Sequence, residues 1–188
     1  MSDFEKLVKK AQKFHGGLCP GIVIGTRMSI AGLKKLDMNL YKRNKDLIVY
    51  LEIDRCMADA VQAITGCSLG HRSLKYLNYG KFASTFVDTS NNRAVRISTI
   101  ENSNRTPGEF EMDDMVKELS QIPEEELFKI EEVCVEIPEE DLPGFPKFKA
   151  VCNICGERIL DKRELIINGD KVCHSCANKP YYTKLETN

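Results

Sequence analysis

No apolar run in the 188 residues reaches the length of a bilayer span, which argues against a membrane-crossing helix. Neither sign of charge is in excess. The 27 Lys+Arg and 28 Asp+Glu leave a formal net charge of −1, too little for a protein governed by attraction to nucleic acid or membrane surfaces. No internal repeat is visible, and no apolar leader opens the chain. The stretch MSDFEKLVKKAQKF is amphipathic and charged, unlike a signal peptide. These absences predict a soluble, cytoplasmic protein of one or two domains, and 42% apolar residues suffice for a core.

Cysteine, by contrast, is abundant at eight residues. Without a secretion signal, metal or redox chemistry is a stronger reading than disulfides. Cys19, Cys56, Cys67 and Cys134 are dispersed, whereas Cys152, Cys155, Cys173 and Cys176 form two tight pairs.

Charge and proline divide the chain. Residues 146–188 carry eight basic and five acidic residues, while residues 1–145 carry 19 and 23. Between them IPEEDLPGFPKF holds three prolines, which block helix propagation and central sheet pairing. The expected organisation is a core over 1–137, a linker over 138–149 and a small module over 150–188.

Within the core, Phe4, Leu7, Val8, Ala11 and Phe14 mark one face of a helix. Pro20 opens a second helix running to about Leu36. DLIVYLEI (46–53) reads as a strand, and CMADAVQAIT as a helix stopped by Gly66. KFASTFVDTSNNRAVRISTI reads as a hairpin turning at Ser90–Asn92, followed by a helix near 111–120 and a final strand, EEVCVEI. The order predicts an α+β fold, a mixed β-sheet flanked by helices, plus a small C-terminal zinc-finger domain.

The late cysteines carry the strongest motif. Cys152/Cys155 and Cys173/Cys176 are two C-x2-C pairs with 17 residues between them. Each short turn aims two sulfurs at one ion, and two turns make a four-thiolate tetrahedron suited to structural Zn²⁺. An iron site or a redox pair is the alternative. Gly156 supplies a permissive backbone after the first pair, and ELIINGDKVC reads as a hairpin turning at Asn168–Gly169. His174 is expected at the surface, because four thiols already fill the site.

The early cysteines differ. Cys19 precedes Pro20, and Cys56 opens the helix after the first strand. Helix N-termini present unpaired N–H groups and partial positive charge, which favour thiolate. His15, four residues before Cys19 in a glycine-rich loop, is a candidate ligand or general base. Cys67 lies about 16 Å from Cys56 along a straight helix, so these two are not expected to share an ion within one chain, although Cys67 could face a site formed with another segment. Cys134 is expected to be a buried strand residue.

FHGGLCPGIVIGTRM, DRCMADAVQAITGCSLGH and GKFASTF resemble, in order, three signature segments of the FmdE family, which takes its name from formylmethanofuran dehydrogenase. The four-cysteine module is similar to a zinc finger found on some members. The resemblance covers nearly the whole chain. It implies an α+β core, a homodimer with a Cys/His cavity near the contact between the two copies, and an accessory role beside a molybdenum or tungsten oxidoreductase. The motif falls on His15, Cys19 and Gly21, then on Cys56, Asp59, Gln62, Thr65, Gly66, Cys67 and Gly70, then on Lys81 and Thr85. Two departures matter: Gly17 stands where the family often has a second histidine, and His71 where it often has asparagine.

Asp59, one turn beyond Cys56, either orients a partner or caps its own helix, and capping is slightly favoured. Lys81 places positive charge near thiolates or remains a solvated lysine, and Arg27 and Arg55 are weaker candidates of the same kind. The acidic run from Glu109 to Asp141 reads as solvated faces and linker, or as a surface for a partner of basic charge. The leading functional reading is a metal-binding, redox-linked accessory protein. In it His15, Cys19, Cys56 and Lys81 form the core site, with a possible second transition metal. The alternative is a regulatory or assembly module whose core only dimerises. Nucleic-acid binding is disfavoured, because the module lacks a dense basic stripe. A standalone enzyme acting on a one-carbon or small anionic substrate is a third reading.

Overall fold

The structure, a computed structural model, describes residues 1–100 and 111–185. The chain forms two compact units, Met1–Glu136 and Ile137–Asn188.

The first unit contains α1 (Asp3–His15), α2 (Pro20–Lys35), β1 (Leu47–Leu51), α3 (Cys56–Thr65), β2 (Leu74–Tyr76), β3 (Ala83–Asp88), β4 (Arg93–Thr99), α4 (Met112–Gln121), α5 (Glu124–Leu127) and β5 (Phe128–Val133). The strands form one sheet in the order β2-β1-β3-β4-β5. β1 and β2 are parallel and the other pairs antiparallel, so the sheet is mixed and the expected α+β architecture is present. β2 and α5 have no counterpart in the sequence pattern, because three and four residues are too few for a periodicity to register.

Alternation along the strands places the core. Leu47, Val49 and Leu51 of β1, Phe86 of β3, and Val95 and Ile97 of β4 all belong to the main apolar cluster, which also takes in Leu7, Ala11, Met57, Val61 and Leu119 from the helices. The register Val49↔Phe86↔Val95 puts these residues side by side on one face. Helix α2 is buried all round, from Ile22 to Leu33, as a central helix must be. It packs on β3 and β4 and against α1, α3 and α4. Small residues permit this crowding: a Cβ on Gly32 would lie 2.5 Å from the Phe86 ring.

Helix α1 begins with a capping box, in which Glu5 N–H donates to Ser2 Oγ and Ser2 N–H donates to Glu5 Oε2. It ends at His15 because Gly16, at φ 95°, turns the chain left-handed. Phe14 is 58% exposed, so the apolar face of α1 ends before it. On the opposite face of the sheet, Arg96 donates from Nε and Nη2 to the two carboxylate oxygens of Glu52 at 2.7 and 2.8 Å.

The last strand starts and stops earlier than its sequence indicates. Its pairing ends at Ala94↔Val133, one residue from the start of β4. Cys134 therefore lies outside the strand and is exposed, which corrects its expected burial.

The second unit contains a 3₁₀ turn (Glu139–Asp141), the pair β6 (Lys149–Val151) and β7 (Arg158–Leu160), the hairpin β8 (Leu165–Ile167) and β9 (Asp170–Val172), and α6 (His174–Ala177). Asn168 and Gly169, both at positive φ, make the expected tight turn of the hairpin. The proline-rich segment is anchored within this unit: Lys147 pairs with Glu139, Lys162 with Glu140 and Arg163 with Asp141. Its apolar core is small, made of Ala150, Cys152, Ile159 and Val172.

Candidate metal centres

Three helix ends meet at the first centre. His15 closes α1, Cys19 is the N-cap residue of α2, and Cys56 is the first residue of α3. The Cys19 side chain caps nothing, so its sulfur stays available. Gly21 and Gly25 bring α2 and α3 together. A Cβ on Gly21 would meet the Cys56 Cβ at 2.9 Å, and one on Gly25 would meet the Met57 carbonyl oxygen at 2.6 Å and the Ala60 Cβ at 2.8 Å. Because Gly21 faces Cys56 and Gly25 faces Met57–Ala60, the two helices run in the same direction. Their positive ends therefore converge on the thiols.

The donor atoms of His15, Cys19 and Cys56 all lie within 4.8 Å of one another, and all three residues are half-buried. His15 Nε2 is 4.0 Å from Cys19 Sγ. Zinc–sulfur and zinc–nitrogen bonds of about 2.3 and 2.0 Å imply tetrahedral edges of roughly 3.5–3.8 Å. The group is thus near the size at which one ion would hold all three donors, and imidazole and thiolate are suitable ligands for such an ion. On its other side, His15 Nδ1 lies 2.7 Å from Asp59 Oδ2. Asp59 does not cap α3: Arg55 is the N-cap residue, without a side-chain cap bond. The favoured capping role for Asp59 is therefore corrected.

The helix-start argument does not carry Cys56. Burial pushes its thiol up, and the adjacent Cys19, through hydrogen bonding and charge, raises it further. Burial, the larger cause, and a second sulfur in the same small space both disfavour the Cys56 thiolate.

Lys81 is exposed, and its side chain makes no hydrogen bond or ion pair among the described residues; its backbone N–H donates to Glu52 O and its carbonyl accepts from Ala83 N–H. Arg27 donates to Leu119 O at 2.7 Å, tying α2 to the end of α4. Arg55 is exposed. Cys67 is buried, with its thiol pushed up by that burial and donating to Leu47 O. It lies outside the cluster, as the helix length predicts. His71 is exposed and bound to Ser68 Oγ, so it does not supply the imidazole missing at Gly17.

The second centre is the one the spacing predicts. The sulfurs of Cys152, Cys155, Cys173 and Cys176 lie within 4.8 Å of one another, with Cys155 and Cys173 3.8 Å apart. Gly156, at φ 76°, closes the first turn by donating its N–H to Cys152 O. Cys173 N–H donates to Cys152 Sγ at 3.3 Å. Backbone N–H groups of Cys155 and Cys173 hold the Cys152 thiol down to about 6. The Cys173 side chain and the other sulfurs push Cys176 up to about 12. Four thiols crowded this closely suit a dication such as zinc. His174 is exposed and takes no part in the cluster.

The chain is similar to known proteins. A curated relative from Archaeoglobus fulgidus, named "Probable S-adenosyl-L-methionine-binding protein", is 32% identical over 208 aligned residues, covering 96% of this chain. The chain spans 55% of that relative's length. An FmdE-like protein of tungsten formylmethanofuran dehydrogenase, from Syntrophus aciditrophicus, has the same fold, with a TM-score of 0.65 at 22% identity over 96% of this chain and 95% of that one. Among the described residues, no helix is long and apolar enough to cross a membrane. The family model described as "FmdE, Molybdenum formylmethanofuran dehydrogenase operon" matches residues 14–141, a span that opens on the His15–Cys19 loop and takes in the Cys56 helix, so the chain belongs to the FmdE family.

Proposed function

We propose that this protein is a metal-binding accessory protein of redox-linked chemistry, with a transition metal on His15, Cys19 and Cys56 and a structural zinc on the four C-terminal cysteines. The observation that carries the reading is the convergence of three donor atoms, one from each of three helix ends, within 4.8 Å. Three protein ligands leave a position for an outside ligand, whereas four thiolates close the coordination sphere. The core centre is thus suited to chemistry or delivery and the C-terminal centre to folding. The family's tie to a molybdenum formylmethanofuran dehydrogenase operon supports service to an oxidoreductase partner. A homodimer acting in the cytoplasm is part of the proposal.

Ile154 and Ile166 are 67% and 65% exposed on the cysteine unit. Such apolar residues on a metal-stapled module favour, as a second reading, a regulatory or assembly role in which that unit makes the contacts.

Metal analysis of the full chain tests the main reading. Cys19→Ala should lose one equivalent relative to wild type and keep the C-terminal ion. An unchanged count would leave the core as a scaffold.

A further inference from the structure

We infer that Asp59 is a positioning residue for the core metal: its carboxylate fixes the His15 ring so that Nε2 is the nitrogen offered to the ion. This rests on the proposed core centre and adds a group to it that donates nothing to the metal.

The geometry separates the roles. Asp59 Oδ2 lies 2.7 Å from His15 Nδ1, while Nε2 on the opposite side of the ring faces Cys19 Sγ at 4.0 Å. An ionised carboxylate only accepts, so Nδ1 carries the proton and the Nε2 lone pair is left bare. Asp59 is not within the 4.8 Å donor group, which comprises His15, Cys19 and Cys56 alone. It therefore acts through the imidazole. Histidine ligands commonly hold their second nitrogen in this way, which orients the ring and raises its basicity.

Helix periodicity explains how one helix supplies both parts. Cys56 and Asp59 are three residues apart in the first turn of α3 and so share a face. The His15 ring, arriving from the end of α1, touches the carboxylate with one nitrogen and turns the other toward the sulfurs. The side chains of His15 and Asp59 are 25% and 39% exposed, so solvent screens the pair in part and its contribution to stability is modest.

The test is a Co²⁺ titration of the full chain, read as a difference spectrum against the Cys19→Ala/Cys56→Ala chain so that only core binding registers. Asp59→Asn should weaken core binding by about 10- to 100-fold and leave the thermal midpoint of the metal-free protein nearly unchanged. Asp59→Glu, which keeps the carboxylate, should recover part of the loss. Equal affinity in wild type and Asp59→Asn would overturn the inference while the core centre stands. No core cobalt in wild type would overturn the centre and the inference together. Nitrogen NMR of His15 in the metal-free wild-type chain under alkaline conditions gives a readout that does not depend on how the variants fold. It should show the proton on Nδ1, and a proton on Nε2 would overturn the inference.

Discussion

Gly21 sits where any side chain would strike Cys56: a Cβ built on it lies 2.9 Å from the Cys56 Cβ and 3.4 Å from the Met57 nitrogen. The absence of one methyl group therefore sets the distance between the Cys19 end of α2 and the Cys56 end of α3. Gly25, one turn on, makes the same contact against backbone.

Substituting these glycines should separate stability from metal binding. Alanine in place of helical glycine is favoured intrinsically by about 1 kcal/mol. At Gly25 that gain is overcome, because the Met57 carbonyl oxygen at 2.6 Å cannot rotate away. Gly25→Ala should destabilise the first unit by about 1–3 kcal/mol, the usual cost of overpacking. Gly21→Ala displaces the Cys56 side chain and should weaken core cobalt binding more than it lowers stability. Denaturant unfolding and cobalt titration of both variants check this. A stabilised Gly25→Ala would show that the helices are not held at contact distance.

Removing the C-terminal ion should unfold one unit and spare the other. Among the described residues, Ala150, Cys152, Ile159 and Val172 make up the buried apolar cluster of the second unit, too little to fold so short a segment unaided. The first unit keeps its own large core. A strong chelator should abolish hydrogen-exchange protection in the β8–β9 hairpin and leave β1, β3 and β4 protected. A hairpin still protected after chelation would contradict this account.

Thiol labelling should rank the two cysteines that lie outside both clusters. Cys134 is exposed, whereas Cys67 is 2% exposed and its thiol is pushed up by burial. In the metal-loaded native chain, iodoacetamide should modify Cys134 first. Cys67 should react only after unfolding, as peptide mass spectrometry will report.

Arg96 and Glu52 offer a test of the second sheet face. Their side chains are 26% and 8% exposed, and their bond is bidentate. Arg96→Ala leaves a buried carboxylate uncompensated and should cost about 2–3 kcal/mol, below the full penalty for a wholly buried pair because Arg96 keeps some solvent. Lys147→Ala, which breaks the exposed pair with Glu139, should leave stability almost unchanged. Similar losses in urea unfolding would contradict the difference in burial.

How far these features are legible in the sequence depends on how local they are. The C-terminal centre is legible in full, because two residues between thiols already fix where the sulfurs point. His15 and Cys19 are legible for the same reason, being one loop apart. Cys56 joins them only through the packing of Gly21 and Gly25 against α3, which no local spacing reports. The shift of its thiol depends on burial and on a neighbouring sulfur that folding supplies, so the helix-start argument misjudged it. The sequence leaves Asp59 between orienting a partner and capping α3, and only the placement of α1 beside α3 selects His15. The early end of β5, and with it the exposure of Cys134, follows from where β4 begins rather than from alternation in EEVCVEI.

X-ray absorption on the metal-loaded full chain tests the central claim most directly, with the Cys19→Ala/Cys56→Ala chain as reference. The difference should show a second ion bound by two sulfurs, one imidazole nitrogen and a light atom at the open position. Two chains with the same four-sulfur spectrum and the same metal count would contradict it.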